Sequence, residues 1–292
     1  MRVLLLGKDG QLGWELHRSL QASAELVALG RPDLDLRDRE ALRQTIRRLA
    51  PQVIVNAAAF TDVDLAETQA ASAREINAIA PKVMAEESRR LGCVLIHFSS
   101  DYVFDGKKQD CYVESDPANP INVYGQTKLE GELAVQAEEG THLILRTSWL
   151  YGLRRPCFLT RVLEWARSQD TIRIADDQTS VPTWGRSVAE ALARTMVMLD
   201  AQGIEWLEER AGLYHLVCGG SASRWEWARA ILDLDPHRDL HIVTELLPAK
   251  MTEFPTLAER PKCSALASEG FQAMFGFNLP HWRAALKMAL AE

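Results

Sequence analysis

The stretch VLLLGKDGQLGWEL, residues 3–16, decides the fold. Val3 to Leu6 form an aliphatic run of strand length, and Gly7, Gly10 and Gly13 follow it at three-residue intervals before a helical pattern begins. A strand that turns through glycines into a helix lets the backbone approach a ligand closely. It also leaves the free N–H groups and positive dipole end of the helix facing an anion such as a pyrophosphate. Glycine can serve turn geometry alone, but this placement, after the first strand, favours cofactor binding.

Outward from this turn, Leu26–Leu29, Val53–Val55, Val94–Phe98 and Leu143–Leu145 are further strand candidates, separated by segments of helix length. In the first intervening helix Leu42, Ile46 and Leu49 share a face behind a capping candidate at Asp38. Strands alternating with helices predict an α/β fold, a Rossmann-like doubly wound parallel sheet with ligands at the carboxyl ends of its strands. Beyond residue 150 the pattern loosens into turn-rich stretches such as DDQTSVPTWG, with helices near 187–200 and 281–291. We therefore expect a dinucleotide-binding domain of residues 1–149 plus about 184–217, and a smaller interleaved substrate-binding lobe of about 150–183 plus 218–292.

The 292 residues, 47% of them hydrophobic, are enough to bury a large core, and the net charge of -7 with no basic run argues against nucleic-acid binding. The opening apolar run is too short for a signal-peptide core or a membrane span, so no membrane partner is expected. Five scattered cysteines, odd in number and without metal-ligand spacing, fit a reducing cytoplasm.

NVYGQTKLEGE, residues 122–132, places Tyr124 and Lys128 four positions apart, one turn of a helix. Ketone reduction needs a proton donor at the carbonyl oxygen, and a phenol of ordinary pKa near 10 is a weak one. A neighbouring ammonium is expected to lower that value and to reach the nicotinamide ribose. Ser100, at the end of the fourth strand in IHFSSDYVFDG, is placed to hold the carbonyl oxygen.

The glycine turn, the strand-end serine and the Y-x-x-x-K spacing, in this order, resemble the extended branch of the short-chain dehydrogenase/reductase family. VIVNAAAFTDVDLAE, LRTSWLYG, DDQTSVPT, GLYHLVCGG and RPKCSAL are similar to further blocks of a reductase group within it, so the likeness covers nearly the whole chain. The resemblance implies NADPH-dependent reduction of the C4 ketone of a dTDP-sugar, dTDP-4-dehydro-L-rhamnose, for cell-surface polysaccharide synthesis. Ser100, Tyr124 and Lys128 would be catalytic, with Ser100, Asp101 and Trp149 at the sugar. Gly7, Gly10, Gln11, Leu12, Ala59, Phe60 and Thr61 would border the cofactor together with Tyr124 and Lys128.

Arg31 stands where an acidic residue would otherwise hold a ribose hydroxyl and can take a 2′-phosphate, which favours NADPH. Asp35 and Leu36 are similar to the family's adenine-contacting pair, so NADH stays open. Some relatives hold magnesium between interface glutamates; Glu15 and Glu292 match, the third position falls near Arg186, and no tightly bound metal is expected. A homodimer is left open. The rival readings are a reductase or epimerase of another nucleotide sugar, and a noncatalytic dinucleotide-binding subunit. Trp225, Trp227 and Trp282 read as packing anchors, His97 as a core histidine, Asp176 and Asp177 as loop-fixing residues, and Arg260 as a solvated charge or a diphosphate ligand.

Overall fold

The computed structural model describes residues 1–292. The aliphatic runs form parallel strands β1 (Arg2–Leu6), β2 (Glu25–Leu29), β3 (Val53–Asn56), β4 (Val94–Ser100) and β5 (His142–Thr147). A sixth strand, Gly212–His215, pairs parallel to β5, so the spatial order is β2, β1, β3, β4, β5 and then the sixth. Strand order reverses between β1 and β3. A crevice opens at the carboxyl ends there, the place where doubly wound sheets bind ligands.

Side-chain alternation sorts the strands onto two apolar layers. Val3, Leu5, Val55, Ile96 and Leu145 face one side with Leu12 and Leu16 of α1 (Gln11–Leu20) and with Val188 and Leu192 of the helix Gly185–Gln202. Leu4, Leu6, Ile54, Leu95 and Ile144 face the other side, against Leu42 and Ile46 of α2 (Arg39–Leu49) and Met84 in the helix Ala80–Leu91. Each such side chain contributes ~1.5–3 kcal/mol by leaving water. Covering both faces produces unbroken apolar strands instead of a polar/apolar alternation.

Helix starts follow the local chemistry. Asp38 caps α2 by accepting the Ala41 N–H at 2.9 Å, and Asn122 accepts the Gly125 N–H at 2.8 Å to start the helix Val123–Gln136, which carries Tyr124 and Lys128. Gly125 lets that helix close on the strand end. A methyl group there would stand 2.1 Å from the Tyr102 carbonyl oxygen.

The second half adds short pairings that carry no period in the sequence. Thr171–Ala175 lies parallel to Glu245–Ala249, Thr179–Ser180 pairs antiparallel with Ala222–Ser223, and Leu150–Tyr151 pairs with Thr183–Trp184. Asp177 accepts the Met251 N–H at 2.8 Å and Asp176 meets Lys250 at 3.0 Å, so these carboxylates pin a loop. No helix is long and apolar enough to cross a membrane.

Candidate active site

Gly7 leaves β1 at φ 88°, a conformation glycine adopts without strain. A Cβ on it would lie 2.7 Å from the Ala58 nitrogen, and one on Gly13 would lie 1.9 Å from the Gly7 oxygen. Gly10 caps α1 without any side-chain hydrogen bond, so no residue competes for the first-turn N–H groups at Gln11 and Leu12. This is a cradle shaped for backbone contact with a phosphate. The loop after β3 faces it. Asn77, inside a π-helical turn Glu75–Ile79, receives the Phe60 N–H at 2.8 Å and donates to the Phe60 carbonyl at 3.1 Å, which fixes Ala59, Phe60 and Thr61 along the crevice. Asn77 carries no motif of its own; only the single-turn π geometry, frequent at functional sites, marks it.

Beyond β2, Arg31 is exposed and forms no ion pair. Asp35 is paired with Arg37. Hydrogen bonds from Arg37 hold its carboxyl down at about 2, and Leu36 is buried with Leu34 in the core. Asp33 is likewise taken, by Lys8 at 2.7 Å.

At the carboxyl end of β4 the structure brings Ser100, Tyr124 and Lys128 together. The phenol of Tyr124 faces Ser100 and packs edge-on to Tyr102, ring centres 5.7 Å apart. Lys128 is 2% exposed and donates to the Phe98 carbonyl at 2.7 Å. Burial raises the Tyr124 pKa above 10, with Ser100 opposing and Asp101 and Tyr102 adding to it. Burial also brings Lys128 itself down to about 8, against the attraction of Glu132. Desolvation is the leading cause of both shifts.

Asp101 follows Ser100 directly at the end of β4. It is 2% exposed and its two carboxylate oxygens accept the hydroxyls of Ser100, Ser180 and Ser264. His97 is a core histidine satisfied on one side only: Asn56 meets Nδ1 at 3.0 Å, Nε2 has no partner, and burial keeps the ring neutral.

Across the crevice Trp149 takes φ 37°, a left-handed conformation unusual for a bulky residue at a strand end. It borders a cavity of about 390 Å³ walled by Phe158, Trp165 and Trp227. Trp227 is thus both packing anchor and pocket wall. Arg224 lies 3.7 Å above the Trp149 ring and 4.8 Å from the Phe158 ring centre with no carboxylate bonded to it, and burial lowers its pKa to about 10. Sequence reading had no signal for Arg224. Arg260 donates to Asp64 at 2.8 Å while its Nη1 is buried without a partner.

Glu15 and Glu292 both meet Arg186. Arg186 pairs with Glu15 at 3.0 Å and also with Glu292, so its guanidinium occupies the space between the carboxylates. No cluster of three or more His, Cys, Asp or Glu side chains could hold a metal.

The family described as RmlD substrate binding domain matches residues 1–292. A Burkholderia thailandensis protein named dTDP-4-dehydrorhamnose reductase is 37% identical over 301 residues, covering 100% of this chain and 99% of the relative. Among solved structures, a dTDP-4-dehydrorhamnose reductase from Clostridium acetobutylicum superposes with a TM-score of 0.90 at 32% identity, covering 100% of this chain and 99% of the other. One from Bacillus anthracis, in complex with NADP, gives 0.88 at 30% identity, covering 99% and 98%. This agreement of sequence and fold along the whole length places the chain in the dTDP-4-dehydrorhamnose reductase family.

Proposed function

We propose that this chain is an NADPH-dependent reductase of the C4 ketone of dTDP-4-dehydro-L-rhamnose, giving dTDP-L-rhamnose. The observation that carries this reading is the convergence of Ser100, Tyr124 and Lys128 at the end of β4, beside the glycine cradle at the switch point. Bound NADPH supplies the hydride that reduces the ketone carbon.

The chain's own residues do the rest. The Gln11 and Leu12 amides and the α1 dipole hold the pyrophosphate, and Arg31, free of other partners, takes the 2′-phosphate. Ala59, Phe60 and Thr61, held by Asn77, wall the nicotinamide half, and Lys128 reaches the ribose hydroxyls. Burial keeps the Tyr124 phenol protonated at neutral pH, so it stands ready to give its proton to the new C4 oxygen. Ser100 supplies a hydrogen bond to the same oxygen. Arg224 and Arg260 are two cations with unused donors, which suits the substrate diphosphate, while the aromatic cavity beside Trp149 suits the flat base and sugar.

We assign the dinucleotide-binding domain to residues 1–149 plus about 184–217 and the substrate lobe to 150–183 plus 218–292. Packing of the helix Gly185–Gln202 on α1 and the place of Gly212–His215 in the main sheet support this division. Five free cysteines support a reducing, cytoplasmic setting.

A spectrophotometric assay of NADPH oxidation with dTDP-4-dehydro-6-deoxy-L-lyxo-hexulose, run beside the UDP analogue, tests the reading. Turnover with the dTDP compound is expected. Tight NADPH binding without turnover of either compound would favour a noncatalytic dinucleotide-binding subunit.

A further inference from the structure

Asp101 opens a single turn directly after Ser100, and its carboxylate is enclosed by hydroxyls. Ser264 Oγ lies 2.5 Å and Ser180 Oγ 3.0 Å from Oδ2, while Ser100 Oγ lies 3.1 Å from Oδ1. Ser180 and Ser264 are 0% and 1% exposed, and backbone bonds lock them together: Ser264 N–H donates to Thr179 at 2.9 Å and Thr179 N–H to Lys262 at 2.7 Å. Both come from segments distant in the chain. No cation is hydrogen-bonded to this buried carboxylate.

A hydroxyl has one proton to give. Ser100 gives its proton to Asp101 and accepts the Tyr102 N–H at 3.2 Å, so in the resting site the proton needed at the ketone oxygen is already engaged. A ketone can recover it only if the carboxylate competes weakly. Two further donors on the same carboxylate spread its charge and weaken that competition. One donor fewer would make Asp101 more basic and hold Ser100 back.

We propose that Ser180 and Ser264 are positioning residues for the reaction: by saturating Asp101 they leave the Ser100 hydroxyl able to turn from the carboxylate to the substrate ketone. The inference rests on the reductase reading and adds two residues to it. Burial raises Asp101 to about 6, with Ser264, Ser180 and Ser100 opposing in that order and Arg224 also pulling it down. The other titratable groups facing it are Tyr102 on its own turn and Tyr124 on the facing helix.

The test compares wild type with Ser180→Ala and Ser264→Ala, and with Ser264→Thr and Ser180→Cys, which keep a donor in place. Carbon-13 NMR of the Asp101 carboxyl, in protein without substrate, follows its titration, and NADPH oxidation from pH 5 to 9 follows kcat. Each alanine variant should move the Asp101 midpoint up by about one pH unit and lower kcat about tenfold at pH 9, where Asp101 is ionised, with the loss fading toward pH 5 as the carboxyl takes a proton. The KM and the NADPH Kd should stay within about twofold, Ser264→Thr should resemble wild type, and Ser180→Cys should fall between. An Asp101 midpoint equal to wild type in the alanine variants, or in Ser180→Cys should those not fold, would overturn the proposal. So would a loss of kcat uniform across pH. Absence of wild-type turnover would sink the reductase reading alone, because the carboxyl titration needs no substrate.

Discussion

Replacing Lys128 by Met should make the protein without cofactor more stable near neutrality and less stable in mild alkali. Lys128 is brought down from 10.5 to about 8 by burial, and its side chain is 2% exposed. A base whose folded pKa is depressed costs stability below that pKa, because the folded state must hold a charge it disfavours. The cost fades as pH rises toward the unfolded value. Here the separation amounts to about 3 kcal/mol at pH 7 and about 1 kcal/mol at pH 9.5. Methionine fills similar volume without charge, yet it leaves the Phe98 carbonyl, now bonded at 2.7 Å, without a donor, at a cost of ~1–3 kcal/mol. The net result is a variant about 1 kcal/mol more stable than wild type at pH 7 and about 1 kcal/mol less stable at pH 9.5. Urea unfolding at both values measures the crossing, with m-values checked for equality. A stability difference that does not change with pH would refute the claim that the ammonium is held in a desolvated site. The same variant should lose turnover, so the lysine persists at a thermodynamic cost to the fold, as functional groups often do.

Three other outcomes follow from named contacts. Tyr124→Phe removes the proton donor and should lower kcat by at least about a hundredfold, the scale of general acid catalysis, while the NADPH Kd measured by fluorescence stays within about twofold. Glu132→Ala strands Arg146, which is 4% exposed and bonded to Glu132 at 2.6 and 2.9 Å, and should cost ~3–5 kcal/mol in chemical unfolding. Arg31→Ala should weaken NADPH about tenfold and NADH little in titration calorimetry, since a charged hydrogen bond to the 2′-phosphate is worth ~1.5–3 kcal/mol.

The parts of this molecule written in local patterns were legible in the sequence. Val3–Leu6 through Gly13, the Asp38 cap and the four-residue step from Tyr124 to Lys128 each lie within one strand or one or two helical turns, so propensity and spacing state them directly. What escaped depends on contacts between distant residues. Asp101 meets Ser180 and Ser264 across 79 and 163 positions, and no local period announces such a meeting. Gly212–His215 has no apolar run and joins the sheet because β5 offers an open edge. Arg224 is distinguished only by the aromatic walls that fold around it. The desolvation acting on Tyr124 and Lys128 escaped for a different reason. Spacing gives proximity, but burial sets the dielectric, and burial is a property of the folded chain.

The central claim is that these side chains line up a C4 ketone and a proton donor beside a nicotinamide. Deuterium carried on C4 of NADPH and followed by NMR into the sugar tests it most directly. The account predicts a single deuterium at C4 of the product in wild type and almost none formed by Tyr124→Phe in the same time. Deuterium that stays in the cofactor while the wild-type protein is fully loaded with both ligands would contradict it.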